Sequence, residues 1–164
     1  MKNLYIDFDG VICDTIGITY DMMKKSGTNY TDEMECMKFY ENLDWNYILE
    51  NSHIINDAMG CIQQIIDSGR FDVAILTHVN SINEIICKVN FIRKYFTDLT
   101  IIPVPKAISK TKMINSMGSI LVDDYNGNLE EWTSEGGLAV RFDLNLDSKG
   151  FLVIDKLSDI LTLF

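Results

Sequence analysis

The segment Asp7-Phe8-Asp9-Gly10-Val11-Ile12 sets two carboxylates at i and i+2 directly after an apolar run, Leu4-Tyr5-Ile6, and before a glycine. Apolar β-formers giving way to Asp and Gly read as a short buried strand that ends in a loop, and the glycine lets the backbone turn sharply. Carboxylates delivered at such a strand end face a crevice. One of them can attack phosphorus while the other, when protonated, serves the leaving oxygen. D-x-D-G also opens calcium loops, but a loop of that kind needs spaced Asp or Asn and a terminal Glu, whereas Val11, Ile12 and Cys13 follow here.

A second acidic pair, Asp123-Asp124, follows Ser119-Ile120-Leu121-Val122 and continues as Tyr125-Asn126-Gly127-Asn128. Two buried acidic pairs without a cation would repel one another and suffer the desolvation of both. An oxygen-only donor set of this kind suits Mg2+. Thr77 closes the apolar run Val73-Ala74-Ile75-Leu76, where its hydroxyl can donate to a phosphate oxygen beside the helix that Ser81 opens; a threonine there also serves as an ordinary turn residue. Among Lys106, Lys110 and Lys112, one ammonium could neutralise a phosphate and hold it against the nucleophile. Lys110, preceded by Ser109 at the start of a short helical stretch, is the first candidate and Lys112 the second. His78 has only His53 as a fellow, which suits an exposed or structural role better than a metal site.

The elements that must position these residues follow from periodicity. Strands are predicted at residues 4–6, 73–76, 100–104, 120–122 and 138–142, with helices after Ser81 (apolar face Ile82, Ile85, Ile86, Val89) and near residues 111–117 and 128–134. Such β-α-β alternation implies an α/β fold with a doubly wound, mostly parallel sheet and ligands at the carboxyl ends of its strands. From Thr15 to Gly69 the pattern is helical, with one stripe at Ile16, Tyr20 and Met23 and a clearer one from Ile54 to Ile66. Between these, residues 31–51 are polar and aromatic-rich without a readable period. The expected division is a core of residues 1–14 and 70–164 with a helical insert at 15–69. Phe39, Tyr40, Trp45 and Tyr47 in the insert are candidates for lining a substrate pocket, although aromatics at these spacings more often serve as core.

Composition narrows the partners. With 47% hydrophobic and 23% charged residues the chain reads as ordinary globular protein. Its 14 Lys+Arg against 24 Asp+Glu, a formal charge of −10, argue against duplex nucleic acid as a partner. No apolar run is long enough to span a bilayer, and Asp7 and Asp9 interrupt the only apolar stretch near the start, so neither membrane nor secretion is expected and a cytoplasmic location follows. The four cysteines lie far apart and are expected to be reduced and mostly buried.

In order along the chain, D-F-D-G-V, a strand ending in Thr, a Lys and I-L-V-D-D resemble the four motifs of the haloacid dehalogenase superfamily, over about residues 4 to 142. D-G-V-I-C-D and D-D-Y-N-G-N-L-E-E-W-x-x-x-G-G look most like its 5′(3′)-deoxyribonucleotidase branch, from which His78 and Thr15 depart. The resemblance implies a Rossmann-like core with a small helical cap inserted after the first motif. It implies that Asp7 forms an aspartyl-phosphate and that Asp9 is general acid and then base. Mg2+ would be held by Asp7, the backbone carbonyl of Asp9 and Asp123, with Asp124 nearby or bound through water, and Thr77 and Lys110 would bind phosphate. The implied activity is Mg2+-dependent hydrolysis of a small phosphomonoester, a (deoxy)nucleoside 5′-monophosphate first, with a sugar phosphate or other small metabolite as the alternative. A non-catalytic phosphate-binding or regulatory module is a third reading, against which the joint presence of Asp7, Asp9, Thr77, a Lys and Asp123 speaks.

Overall fold

Six short apolar runs pair into one sheet in the computed structural model, which describes residues 1–164. They are β1 (Lys2–Ile6), β2 (Phe71–Val79), β3 (Thr100–Pro105), β4 (Ile120–Asp123), β5 (Leu138–Phe142) and β6 (Leu152–Ile154). Every neighbouring pair is parallel, in the order β3-β2-β1-β4-β5-β6. The helices are α1 (Ile16–Ser26), α2 (Glu33–Glu41), α3 (Trp45–Asn51), α4 (Ala58–Asp67), α5 (Ile82–Arg93), α6 (Lys110–Met113), α7 (Asn126–Ser134) and α8 (Ile160–Leu163). None is long and apolar enough to cross a membrane.

Side chains that alternate along each strand feed two cores, because a parallel sheet is covered on both faces. On one face Leu4, Ile6, Val73, Ile75, Val122 and Phe142 pack with Ile62 and Ile65 of α4, Ile92 of α5 and Ile160 of α8. On the other, Tyr5, Leu76, Val104 and Leu121 pack with Leu129 and Trp132 of α7. The Trp132 indole N–H donates to the Ser119 carbonyl at 3.1 Å, so this buried ring leaves no polar atom unmet. The chain starts at β1, moves outward to β2 and β3, then returns across β1 to β4, β5 and β6. The crevice at this reversal opens at the carboxyl ends of β1 and β4.

Residues 15–69 do not form one insert. Only α1, α2 and α3 stand away from the sheet, gathered on a small core of Leu43, Trp45 and Ile48 that also takes in Cys87 of α5. α4 packs on the sheet, since Ala58, Met59, Cys61, Ile62 and Ile65 form one continuous apolar stripe that only the sheet face can cover. The segments leading into and out of the α1–α3 layer run side by side, with Ile55 N donating to Ile12 O at 2.9 Å and Asp14 N to His53 O at 3.0 Å. α2 buries none of its residues, which is why its sequence shows no apolar stripe.

Two further expectations are corrected. β6 is a sixth strand of three residues, too short for a period to register. In α5, Ser81 does cap the helix, accepting from Glu84 N at 3.1 Å, but the buried face is not the isoleucine stripe. Ile82 and Ile86 are 75% and 53% exposed, while Glu84, Cys87, Lys88 and Ile92 are buried. The orientation is dictated by what lies beneath the helix, as the candidate site shows. Replacing Ile86 by Lys is therefore expected to change unfolding free energy by less than about 0.5 kcal/mol, and Ile92→Ala to reduce it by about 2–5 kcal/mol. Urea denaturation of the two variants checks this, and the reverse order would show that the helix turns its other side inward.

Candidate active site

β1 and β4 are in register with Ile6 beside Val122, which brings Asp7 and Asp123 next to one another where the strands end. Asp7 N extends the ladder by one bond, donating to Val122 O at 2.9 Å. Both carboxylates are buried, Asp123 completely. Lys110, 1% exposed at the start of α6, donates to Asp7 Oδ1 and to Asp123 Oδ2, each at 2.6 Å. Asp123 is held further by Tyr125 N at 2.9 Å and Asn128 Nδ2 at 2.8 Å. Of the lysine candidates, Lys110 reaches the acidic residues; Lys112 is exposed and 4.0 Å from Glu135, and Lys106 lies at the rim over the Tyr125 ring.

Asp124 completes the group. Oxygens of Asp7, Asp123 and Asp124 lie within 4.8 Å of one another. Gly10, at φ +73°, passes under Asp124 so closely that an added Cβ would fall on its Oδ2, so glycine is required here for space as well as for its left-handed backbone. The Asp9 side chain does not join these three. Its Oδ1 accepts from Thr15 Oγ1 at 2.7 Å and its Oδ2 from Lys88 Nζ at 2.5 Å.

Lys88 is the residue that sequence reasoning missed. It is 1% exposed and donates to Asp9, to Glu84 Oε1 at 2.7 Å, and to Thr77 Oγ1 and His78 O at 3.1 Å each. Thr77 is itself buried, two residues before β2 ends, rather than at the strand's tip as expected. The only sequence signal for Lys88 was its i, i+4 spacing from Glu84, a pattern that usually marks an exposed helix face. Asn128 and Thr15 were likewise visible only as neighbours of motif residues.

Above Asp9 a cleft of about 370 Å³ opens between the sheet and the α1–α3 layer. Tyr40 and Trp45 line it, together with Tyr20 and Met37. Phe39 and Tyr47 do not: Phe39 packs into the small core of that layer and Tyr47 is 50% exposed. The Trp45 indole N–H is buried without a partner, the one buried side-chain polar atom so placed. His78 also lines the cleft, its Nε2 on the Ile108 carbonyl at 3.0 Å. Burial, with Lys110 nearby, pulls the His78 pKa down to about 4, so it is neutral at pH 7. A hollow of similar size among Phe71, Tyr95 and Leu99 lies at the amino ends of β2 and β3, away from every charged cluster described above.

The electrostatics call for a cation. Burial, with the neighbouring Asp123 and Asp9 adding to it and Lys110 opposing it, pushes the Asp7 pKa up to about 7. Burial, followed by Asp7, Asp123 and Asp9, pushes that of Asp124 up to about 8. Burial alone would lower the Lys110 pKa, but Asp123 and Asp7 outweigh it and keep the ammonium charged. One ammonium thus faces three carboxylates. Three hard oxygen donors with uncompensated negative charge fit Mg2+, which accepts one or two carboxylates and keeps the rest of its shell for water and phosphate.

No family model and no curated protein matches the sequence. Solved structures share the fold. A haloacid dehalogenase superfamily hydrolase of subfamily IA from Geobacter sulfurreducens aligns over 100% of both chains with a TM-score of 0.64 at 13% identity. A haloacid dehalogenase phosphatase from Thermococcus onnurineus aligns over 99% of this chain and 97% of its own, with a TM-score of 0.64 at 15% identity. For a hydrolase from Pseudomonas syringae the coverage is 99% and 97%, the TM-score 0.65 and the identity 11%. The fold is therefore the Rossmann-like α/β fold of haloacid dehalogenase superfamily hydrolases.

With Asp7 and Asp124 raised to about 7 and about 8, these two groups bind more protons in the metal-free folded chain than in the unfolded one from about pH 4 to pH 8, and His78, held down at about 4, offsets only one of them below about pH 6.5. Unfolding free energy from these groups is then full below the ordinary Asp range and falls as pH rises through their folded pKa values. Asp143 and Asp147, held below the ordinary range, act only under more acidic conditions. In chelator, Tm is expected to fall between pH 5.5 and pH 8. Mg2+ should raise it, and by more at pH 8, because the ligands must lose their protons to bind. A Tm at pH 8 indifferent to millimolar Mg2+ would remove the cation from this site.

Proposed function

We propose that this chain is a Mg2+-dependent phosphomonoester hydrolase that works through an aspartyl-phosphate on Asp7, with nucleoside monophosphates as preferred substrates. The observation that carries this reading is the Lys110 ammonium held between Asp7 and Asp123 at the β1–β4 crevice, beside a cleft that opens over Asp9. A structural ion pair has no need of a third carboxylate; a site for a phosphate and a cation does.

In this reading Asp7, the Asp9 carbonyl and Asp123, with Asp124 beside them, would hold Mg2+, which when bound would supply positive charge to the phosphoryl oxygens. An Asp7 oxygen attacks phosphorus, the ester P–O bond breaks, and protonated Asp9 gives its proton to the leaving oxygen. Water then attacks the same phosphorus, Asp9 takes its proton, and the bond to Asp7 breaks to release phosphate. Lys110 balances the charge at Asp7 throughout, and the Thr77 hydroxyl donates to a phosphate oxygen. α1–α3 serve as a small cap that keeps bulk water from the transfer step.

Tyr40 and Trp45 at the cleft support an aromatic leaving group such as a nucleobase. The −10 charge speaks for a small substrate rather than duplex nucleic acid. Four free cysteines are in keeping with a reducing, cytoplasmic setting.

Asp7→Asn is expected to abolish turnover with the circular dichroism spectrum unchanged, and residual activity within tenfold of the parent would take Asp7 out of the nucleophile's role. Excess chelator is expected to stop phosphate release. In a panel assay a nucleoside monophosphate should exceed a hexose phosphate by about tenfold or more in kcat/KM, given roughly 1–3 kcal/mol per stacked base. Equal hydrolysis of the two would leave a phosphatase for sugar phosphates or other small metabolites.

A further inference from the structure

Lys88 stands where no apolar requirement puts it. Its ammonium is enclosed between the faces of Trp45 and Phe8, at 4.6 and 5.2 Å from the ring centroids, and cannot reach water. Glu84 by itself would balance its charge at 2.7 Å. Glu84 is anchored in turn, its Oε2 accepting from Asn80 N at 2.7 Å, so the pair is fixed to the loop that follows β2. Asp9 does not need Lys88 for its own sake, because its side chain is 26% exposed and open to solvent in the cleft. Burying a lysine with a carboxylate generally gives less stability than an apolar pair of the same volume. What the arrangement achieves is placement.

Asp9 lies two residues after Asp7, near the Asp7–Asp123–Asp124 group, yet its carboxylate is turned out of that group toward the cleft. Lys88 holds its Oδ2, Thr15 holds its Oδ1, and the same ammonium contacts the Thr77 hydroxyl oxygen. With a lone pair of Thr77 Oγ1 occupied in this way, its hydroxyl hydrogen is left to point elsewhere. It now rests on the His78 carbonyl at 3.2 Å, a long bond that a phosphate oxygen would readily replace.

We propose that Lys88 is a positioning residue: it fixes the Asp9 carboxylate on the cleft side, beside the Thr77 hydroxyl and apart from the cation-binding carboxylates, so that Asp9 meets the leaving oxygen. This rests on the phosphatase reading given above. Without Lys88, Asp9 is free to swing in among the three carboxylates, where it would serve as an additional cation ligand and be lost to proton transfer. The consequence falls on substrates whose leaving oxygen must be protonated, and spares those whose leaving group departs as a stable anion.

The experiment compares kcat/KM for deoxythymidine monophosphate and para-nitrophenyl phosphate, with saturating Mg2+. This constant covers steps up to departure of the leaving group and is blind to hydrolysis of the aspartyl-phosphate. Lys88→Met strands Glu84 as a buried charge and can fail to fold, so the double variant Lys88→Met/Glu84→Gln, which removes both charges at nearly constant volume, is measured beside it. The expected result is a loss of about 100-fold or more on the nucleotide, in the range of general acid catalysis, with less than about tenfold on the nitrophenyl ester. Glu84→Gln alone keeps the Asp9–Lys88 contact and should keep the parent's ratio between the two substrates. Equal losses on both substrates in a folded double variant, or a Glu84→Gln ratio shifted as far as that of the double variant, would reduce Lys88 to a structural role and overturn the proposal. If the parent releases phosphate from neither compound nor from a wider panel of phosphomonoesters, the phosphatase reading falls and this role falls with it.

Discussion

The register of β1 against β4 creates a charge problem that organises the rest of the molecule. Pairing Ile6 with Val122 leaves Asp7 and Asp123 side by side at the strand ends, both buried. Two carboxylates that close, out of water, would repel strongly enough to protonate or to unfold the strand ends. Lys110 resolves the pair by donating to both at 2.6 Å, and this requires α6 to begin where it does, directly beneath the crevice. Asp124 then adds a third carboxylate with no protein cation to meet it. The raised pKa values of Asp7 and Asp124 express that shortage. The site is thus lined by oxygens, short of positive charge, and next to the residue, Asp9, that lines the cleft.

A second buried ammonium governs the neighbouring helix. α5 turns Glu84 and Lys88 inward and leaves Ile82 and Ile86 in solvent, an orientation that opposes its own apolar stripe. Hydrophobic burial of two isoleucines would favour rotating the helix the other way by a few kcal/mol. The opposing terms are local and directional: a short ion pair from Lys88 to Asp9, two aromatic faces around the ammonium, and the Cys87 contact with the α3 core. Rotating α5 would break all of them at once. The fold therefore carries an exposed apolar edge as the consequence of its site.

Similar architecture at 11–15% identity with structures from very different organisms shows how much of this chain's packing answers to topology alone. Here the layer over the crevice is three short helices, one of which fully buries none of its residues, held to the core by two adjacent backbone segments and by α5. Its contribution to the cleft is aromatic and sulfur-bearing, from Tyr20, Met37, Tyr40 and Trp45.

The sequence by itself determined the strands that carry the acidic pairs, because short β-rich apolar runs bounded by Asp, Gly and Ser are recognised by local preference alone. It determined the parallel α/β class through the alternation of elements, and it singled out Asp7, Asp9, Thr77, Asp123 and Asp124 because each sits within three residues of a strand end, with Lys110 first among three lysines. Tertiary structure alone decided which lysine meets the carboxylates, since Lys106, Lys110 and Lys112 share one polar stretch and differ only in where the chain turns. It alone detached α4 from the α1–α3 layer, divided Tyr40 and Trp45 at the cleft from Phe39 and Tyr47 elsewhere, and turned Asp9 away from Asp7. Lys88 was the least legible, because a lysine four residues after a glutamate is ordinary on an exposed helix. Its burial depends on Asp9, Thr77 and Trp45, which lie between 11 and 79 residues away in the chain. Local patterns report what each segment prefers; contacts at such separations exist only once the sheet is assembled.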